Sequence, residues 1–437
     1  MNPNTITCDL TVIGCGIAGM AATVFAANRG LSVCQVGSMR EIGFASGLLD
    51  LLGVHPISEG KAWDDPWAGI DALVHDIPNH PYSKLSGADI RAAFDELLTF
   101  LENSGLPYSR DPDRNSRLIT HVGTIKTTYC APKSMWNGVE AYGQKRPCLI
   151  VDLHGLKGFS AGLIVNTLKT SWPDLRAARI AFPVKGQMIE VFPEHLANTL
   201  ANPQNLEILG RLIQPHVQDA QVVGLPAVLG LSHSPKVASV MAGFLGVPVF
   251  EIPTMPPAVT GLRLKEAFER GLSKNRPYYF SQNSVLDVRQ VTAKGFMLSI
   301  GPGKTKQMIL CKGIILATGR FIGGGLSADR NHIRETIFAL PVYQPETRAQ
   351  WHREDFLDRR GHLINQAGLE TDDHFRPLGS KGNPAFHNLF AAGSILAHQD
   401  WKRMKCGSGL AIATAFGAVK SFVEKMNHEK NIKKTKS

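Results

Sequence analysis

The chain predicts an α/β fold: a Rossmann-like nucleotide-binding domain, discontinuous in sequence, with an inserted α+β cap domain. Three observations carry this expectation. A glycine fingerprint, "VIGCGIAG", lies between an apolar strand and a helix of small residues near the N-terminus. Two further strand–glycine elements, "IILATGR" and "LFAAGS", come only after residue 310. The stretch of about 59–257 lacks such pieces. The expected division is therefore 1–58 and 258–437 for the nucleotide-binding domain and 59–257 for a cap or substrate domain.

The opening "CDLTVIGCGIAGMAATVFAANRGLSVCQVG" reads as strand Leu10 to Ile13, helix Ala18 to Asn28 closed by Gly30, and strand Leu31 to Val36. Gly14 allows the tight turn, Gly16 lets a phosphate approach the backbone, and Gly19 lets helix and strand pack closely. The phosphate meets the amides of Ile17 and Ala18 and the positive end of the helix. An acid should hold a ribose about 20 residues further on. None occurs between Asp9 and Glu41, and the second strand ends on Gly37. Backbone amides, Ser38 and Arg40 remain to hold the ligand, as does Glu41 after a loop shift. This points to a loosely held dinucleotide or to a mononucleotide. The next stretch, "GFASGLLDLLG", reads as a loop entering a helix, with Ser46 as cap.

A helix is expected from Ala88 to Glu102, with Ile90, Phe94, Leu97, Leu98 and Leu101 on one face and Gly105 after it. Pro and Trp in "WDDPWAGI" and "PNHPYSK" mark entry to the inserted segment. From "PAVTGLRLKEAFERGL" the chain returns through a helix and a strand meander, Val285 to Leu310, to a buried strand, Ile314 to Ala317. Thr318 and Gly319 at its end let backbone approach a ligand. A last strand, Asn388 to Ala391, leads to Gly393 and Ser394. The turn Gly407-Ser408-Gly409 then starts a helix from Leu410 to Lys425.

Composition narrows the class. With 437 residues, 43% hydrophobic and 19% charged, the chain can bury a large core. No apolar run is long enough to span a bilayer, and no signal-like segment opens the chain, so a cytoplasmic location is the default. Its seven cysteines include no pair at C-x-x-C spacing, which argues against a metal or iron–sulfur cluster held by this chain alone. A net charge of +10 fits an anionic small molecule, an acidic partner or an anionic membrane surface. Nucleic acid is not expected, because the only dense basic run is the terminal "EKNIKKTKS".

The N-terminal fingerprint, central "ATG" and glycine-capped last helix together resemble the two-dinucleotide-binding flavoproteins, of the glutathione-reductase and fumarate-reductase type. In those proteins the last helix points its N-terminus at the flavin pyrimidine ring, where reduction places negative charge. The segment after their second strand runs beneath the flavin, so the resemblance implies that Ser46 and Gly47 offer a hydroxyl and an unhindered backbone to a ring edge or phosphate. The stretches "GFASGLLDLLG", "THVGTIKTTYCAPKSMWNG", "GLPAVLGL", "GFLGVPVFEIPTMPPAVTGLRL" and "KCGSG" narrow the resemblance. From about Thr11 to Ala418 the chain is similar to the B subunits of anaerobic glycerol-3-phosphate dehydrogenase. The loop "AAGSILAHQDWKRMKC" is poorer in glycine than that family's. The resemblance implies FMN, with FAD as the alternative, and a small phosphorylated substrate. It also implies an FAD-bearing A subunit and an iron–sulfur C subunit as partners, and a peripheral place on the cytoplasmic side of the membrane. The absent ribose acid agrees with FMN. The alternatives are a stand-alone flavoprotein oxidoreductase on another small hydroxy or unsaturated acid, and a flavin-poor scaffold subunit.

Oxidising a secondary alcohol needs a proton acceptor. His55, His121, His332 and His398 are candidates. His398 stands first because it precedes the terminal glycine turn, although a surface loop also explains it. Lys126, Lys133 and Arg263 could hold a phosphate but read as solvated charges. Arg320 has the better claim. No catalytic residue and no metal ligand is assigned.

Overall fold

The computed structural model describes residues 5–182, 190–274, 278–292, 295–301 and 306–435. The chain separates into two units. The first comprises Met1–Glu41, Asp50–Phe100 and Leu272–Ser437, and the second Ile42–Leu49 and Leu101–Gly271. These divisions differ from the expected 58/59 and 257/258. Residues 59–100 go with the nucleotide-binding fingerprint, and the short piece carrying Ser46 and Gly47 goes with the inserted unit. Leu48 explains the second point: it is buried in a cluster with Leu118, Ala131, Met135 and Ala227, all of the inserted unit.

The first unit is built on a seven-stranded sheet. Its strand order is Tyr278–Ser281, Val33–Gly37, Thr5–Ile13, Gln307–Leu316, Gly295–Gly301, Ser284–Thr292. Leu389–Ala391 also pairs with Gln307–Leu316. The first four strands and the last-named one run parallel. The other two form an antiparallel hairpin, as the expected meander requires. The central strands are apolar without alternation, because helices cover both faces of such a sheet: Leu10, Val12, Ile314, Ile315 and Leu316 have no exposed surface. The opening helix, Ile17–Asn28, and the terminal helix, Gly407–Thr435, pack together, with the Phe25 and Phe416 rings edge to face at 5.4 Å. Small residues make the close approach possible; Ala21, Ala22, Ala413, Ala415 and Ala418 are fully buried. The helix expected from Ala88 to Glu102 runs Gly87–Asn103.

The inserted unit has its own four-stranded sheet, in the order Val249–Ile252, Val222–Pro226, Cys148–Leu153, Leu175–Ile180. All its pairs are parallel. Helices alternate with these strands, and two antiparallel pairs, Tyr108–Arg110 with Cys130–Pro132 and Ser116–Ile119 with Ile125–Thr128, stand beside them. The core is aliphatic around Trp172 and Phe250. Among the described residues no helix is long and apolar enough to cross a membrane.

Candidate functional site

The parallel strands of the first unit end together, and three loops meet there. The Gly14 amide donates to Val36 O at 2.8 Å, the Ala317 amide to Ile13 O at 2.8 Å, and the Ala392 amide to Leu316 O at 2.9 Å. The fingerprint turn, the "ATG" turn and the Gly393 turn are thus held side by side at the carboxyl ends, where ligands of such sheets bind.

The glycines of the fingerprint answer different demands. Gly14 has φ +122°, and a Cβ there would lie 2.1 Å from Ala317 O. A Cβ on Gly19 would lie 2.0 Å from Gly14 O, so this glycine sets the helix against the turn. Gly16 is the exception: a Cβ built on it meets no protein atom within 4 Å. It caps the opening helix with extended backbone and no side-chain cap, and its carbonyl accepts the Met20 amide at 3.0 Å. The helix therefore starts at Ile17 and Ala18 with an uncapped positive end and open space beside it. Such a cradle fits a phosphate. Cys15 stays a neutral thiol there, because burial pushes it up to about 12.

Gly37 explains the missing acid. It has φ +150°, and a Cβ would come within 3.0 Å of Cys15 Sγ and 3.3 Å of the Cys15 amide nitrogen. A carboxylate-bearing residue at this position would collide with the phosphate turn. Ser38 follows, exposed. Arg40 begins a 3-10 turn, Arg40–Phe44, and its side chain lies outside the described residues. Sequence reasoning passed over Gln35, the polar residue in the second strand. It is fully buried; Nε2 donates to Gly14 O at 3.1 Å, while Oε1 has no partner.

At the central turn, Thr318 is buried and its Oγ1 has no partner. Gly319 takes φ +67° beside Ser394, whose Oγ would lie 3.6 Å from a Cβ on that glycine. Arg320 does not serve as an anion-holding side chain. Nε donates to Ser394 O at 2.8 Å, Nη2 to Gln399 O at 3.0 Å and Leu396 O at 3.3 Å, and Nη1 to Asn365 O. Burial lowers its pKa to about 10, against the pull of Asp400, so it remains a cation that clamps loops through their carbonyls. Gly393, at φ +80°, gives its amide to Thr414 Oγ1 at 2.8 Å, and a Cβ there would lie 2.6 Å from that of Ala18.

The terminal glycine turn is filled by protein. A Cβ on Gly407 would meet the Trp401 ring at 2.8 Å. One on Gly409 would meet the Tyr82 hydroxyl, Asp50 O and Leu51 Cα, all within 2.8 Å. The Gly409 amide donates to Asp50 O at 2.6 Å, and Ser408 Oγ accepts the Asp50 amide at 2.6 Å. The helix runs Gly407–Thr435, well beyond the expected Lys425.

Ser46 and Gly47 belong to the inserted unit. Ser46 Oγ accepts the Leu48 amide at 3.3 Å without capping a helix. Gly47 O accepts the Tyr108 hydroxyl at 2.7 Å. Arg263 is no surface charge: it is buried and bidentate on the buried Glu251, at 2.5 and 2.9 Å, and donates to Gly230 O at 2.8 Å. Lys126 is half-buried and Lys133 exposed in the same unit. His121 is half-buried, and burial lowers its pKa. His332 is exposed.

The other two candidates, His398 and His55, lie in the first unit, as does His332. His398 Nε2 is 2.8 Å from Glu370 Oε1, and its ring packs on Tyr343 at 4.2 Å. With Lys84, Thr371 and Asn79 it lines a cavity of about 110 Å³. His55 is buried, with Nε2 2.8 Å from Asp76 Oδ2. His80, not singled out in sequence, is completely buried. Its Nδ1 accepts the Tyr82 amide at 3.2 Å, and burial, helped by His55 and His398, lowers its pKa to about 3.

The chain is similar to known proteins over almost its whole length. The B subunit of anaerobic glycerol-3-phosphate dehydrogenase from Vibrio vulnificus is 28% identical over 423 residues, covering 94% of this chain and 95% of that protein. The probable B subunit from Halobacterium salinarum is 29% identical over 440 residues, covering 97% and 100%. The crystal structure of 3-ketosteroid delta1-dehydrogenase from Sterolibacterium denitrificans is similar at 11% identity and a TM-score of 0.42, covering 96% of this chain and 100% of that one. The family model of an FAD binding domain matches residues 9–410, from the first strand to the start of the terminal helix. The chain belongs to the FAD binding domain family.

Proposed function

We propose that this chain is the flavin-bearing B subunit of a membrane-associated anaerobic sn-glycerol-3-phosphate dehydrogenase. It oxidises glycerol 3-phosphate to dihydroxyacetone phosphate, and the electrons pass to quinone through an FAD-bearing A subunit and an iron–sulfur C subunit. The observation that carries this reading is the near-full-length likeness to relatives bearing that subunit name. The cofactor reading is FMN. Gly37, pressed against Cys15, leaves no place for a ribose-holding acid, and this favours a ligand without an adenosine half.

A bound flavin supplies the two-electron acceptor for the alcohol carbon. The chain's own residues supply binding and polarity. The amides of Ile17 and Ala18 and the open face of Gly16 receive phosphate, with Gly14, Gly19 and Gly37 shaping the turn. Thr318, Gly319, Gly393 and Ser394 line the neighbouring turns, and the unpartnered Thr318 hydroxyl is free to hydrogen-bond a ligand. The terminal helix starts at Gly407-Ser408-Gly409; protein fills the space beside Gly407 and Gly409, so its positive end favours an electron-rich group through its field and not by direct contact at those glycines.

The test has two parts. The flavin released from the purified chain is identified by mass; FMN is expected, and FAD overturns the cofactor reading. Dye-linked glycerol 3-phosphate oxidation and quinone reduction are then compared for the isolated chain and the co-expressed assembly. Quinone reduction is expected only in the assembly. Undiminished quinone reduction by the chain alone identifies a stand-alone enzyme instead.

A further inference from the structure

The loop that follows the Gly393 turn holds His398 in a backbone conformation that side chains rarely adopt, at φ +61°. Its neighbours keep it there. The His398 amide donates to Gln366 O at 3.0 Å, and the Ala397 amide to Leu369 O at 3.0 Å. Gln399 Nε2 donates to Leu396 O at 2.9 Å and Ser394 O at 3.2 Å, while Arg320 holds the Leu396 and Gln399 carbonyls. A strained residue held by so many bonds marks a side chain whose direction matters. The ring is fixed as well. Nε2 donates to Glu370 Oε1 at 2.8 Å, and the ring packs on Tyr343. With the hydrogen on Nε2, the neutral ring keeps Nδ1 as an acceptor. Nδ1 has no hydrogen-bond partner among the described residues.

His398 lines the cavity of about 110 Å³ together with Lys84, Glu370, Thr371, Leu369 and Ala397, all of the first unit. Leu369 and Ala397 are buried and make an apolar wall. Lys84 Nζ donates to Thr371 O and, at 2.7 Å, to Thr371 Oγ1, which leaves one of its three hydrogens. The polar side of the cavity is therefore a mixed set: an ammonium hydrogen, the His398 acceptor and the Glu370 carboxylate. A hydroxyl, donor and acceptor at once, satisfies such a set. An ionised phosphate only accepts, and it would face the carboxylate and the ring lone pair with nothing to give them. Burial lowers the Lys84 pKa against the pull of Asp373, Asp372 and Glu370, so an entering anion competes with carboxylates for a single ammonium. A cationic ligand only donates and would meet Lys84. The volume lies well below the roughly 300–1,000 Å³ of pockets for drug-sized ligands, so the occupant is small.

We propose that this cavity binds the uncharged, hydroxyl-bearing end of a small polyol substrate, with His398 Nδ1 accepting a hydrogen bond from a hydroxyl and the phosphate lying outside. This rests on the reading of the chain as a glycerol 3-phosphate dehydrogenase, and it assigns the pocket for the carbon end of that substrate. The flavin-loaded full-length chain is reduced with dithionite under argon, so that no turnover follows. It is then titrated by calorimetry with glycerol 3-phosphate and, separately, with inorganic phosphate. Wild type is compared with His398→Asn, which tolerates the left-handed backbone, with Lys84→Met, and with Lys236→Met, a change at an exposed residue of the inserted unit. At least tenfold weaker glycerol 3-phosphate binding is expected in the first two, with melting temperature, flavin content and phosphate binding unchanged, and no change for Lys236→Met. Unchanged affinity in either variant that keeps the wild-type melting temperature overturns the pocket alone. Equal weakening of phosphate binding shows that the cavity holds an anion and overturns the polyol assignment. Wild type gives an independent reading: excess glycerol should compete with glycerol 3-phosphate, and absence of competition overturns the same assignment. If wild type binds no glycerol 3-phosphate at all, the dehydrogenase reading falls and takes the pocket with it.

Discussion

Two glycine clusters of the first unit look alike in sequence and differ in what surrounds them. In the fingerprint, Gly16 faces open space while its neighbours Gly14 and Gly19 are pressed against backbone. In the terminal turn, both Gly407 and Gly409 are pressed against protein. A glycine with nothing beside it keeps room for a ligand; a glycine with a neighbour at 2–3 Å keeps room for the fold. The G-x-G spacing by itself does not separate these reasons.

The largest expected effect tests the filled positions. Gly14→Ala puts a methyl 2.1 Å from Ala317 O at a φ that side chains rarely adopt, and Gly409→Ala drives one into the Asp50–Leu51 backbone. Each should cost about 3–5 kcal/mol in denaturant unfolding, or abolish soluble protein. A loss under about 1 kcal/mol in both would show that these turns relax and that packing does not explain the glycines.

Next comes the open position. Gly16→Val should leave the melting temperature nearly unchanged and weaken flavin binding about 100-fold, since charge-assisted bonds of roughly 1.5–3 kcal/mol each are blocked. Full flavin occupancy in a folded Gly16→Val protein would move the phosphate elsewhere.

The smallest effect sharpens the packing around Gly409. Tyr82, whose hydroxyl abuts that glycine, gives its amide to His80. Burial holds His80 neutral in the fold down to about pH 3, whereas the unfolded chain takes up its proton near pH 6.5. Below pH 6.5 the unfolded state therefore binds more protons. The His80 contribution is complete above pH 6.5 and falls as pH falls, by about 2 kcal/mol between pH 6.5 and 5. His80→Asn, which keeps an acceptor for the Tyr82 amide, should flatten that part of the stability–pH curve. An equal slope in wild type and variant would mean that His80 is hydrated.

What was legible in the sequence was local. The opening strand, helix and second strand fell where apolar runs and glycines put them, because each is decided within about thirty residues. The first strand runs longer than Leu10–Ile13, since Thr5 to Cys8 gain partners from Met308 to Cys311, which no local pattern announces. The parallel sheet of the inserted unit was hidden for a related reason: its strands are short and apolar, and such runs look alike in helices and strands. The charged residues were misread where their partners are remote in sequence. Arg263 looks solvated on its own helix, but Glu251 waits on a neighbouring strand. Arg320 looks like a ligand side chain beside "ATG", but carbonyls 45–79 residues onward take its donors. The glycine at 409 reads as ligand-facing until Asp50 and Tyr82 appear against it.

The same long reach sets the order of assembly during synthesis. The first strand lies between Val33–Gly37, made almost at once, and Gln307–Leu316, made some three hundred residues later. At about 5–20 residues per second, one edge of that strand waits roughly 15–60 s for its neighbour. The Asp50 backbone waits longer still, for Ser408 and Gly409. On the ribosome the inserted unit can close its own sheet while the unit around it remains open, with an apolar strand edge for chaperones to guard. The cradle at Gly16 is among the first pieces translated and among the last to acquire its walls.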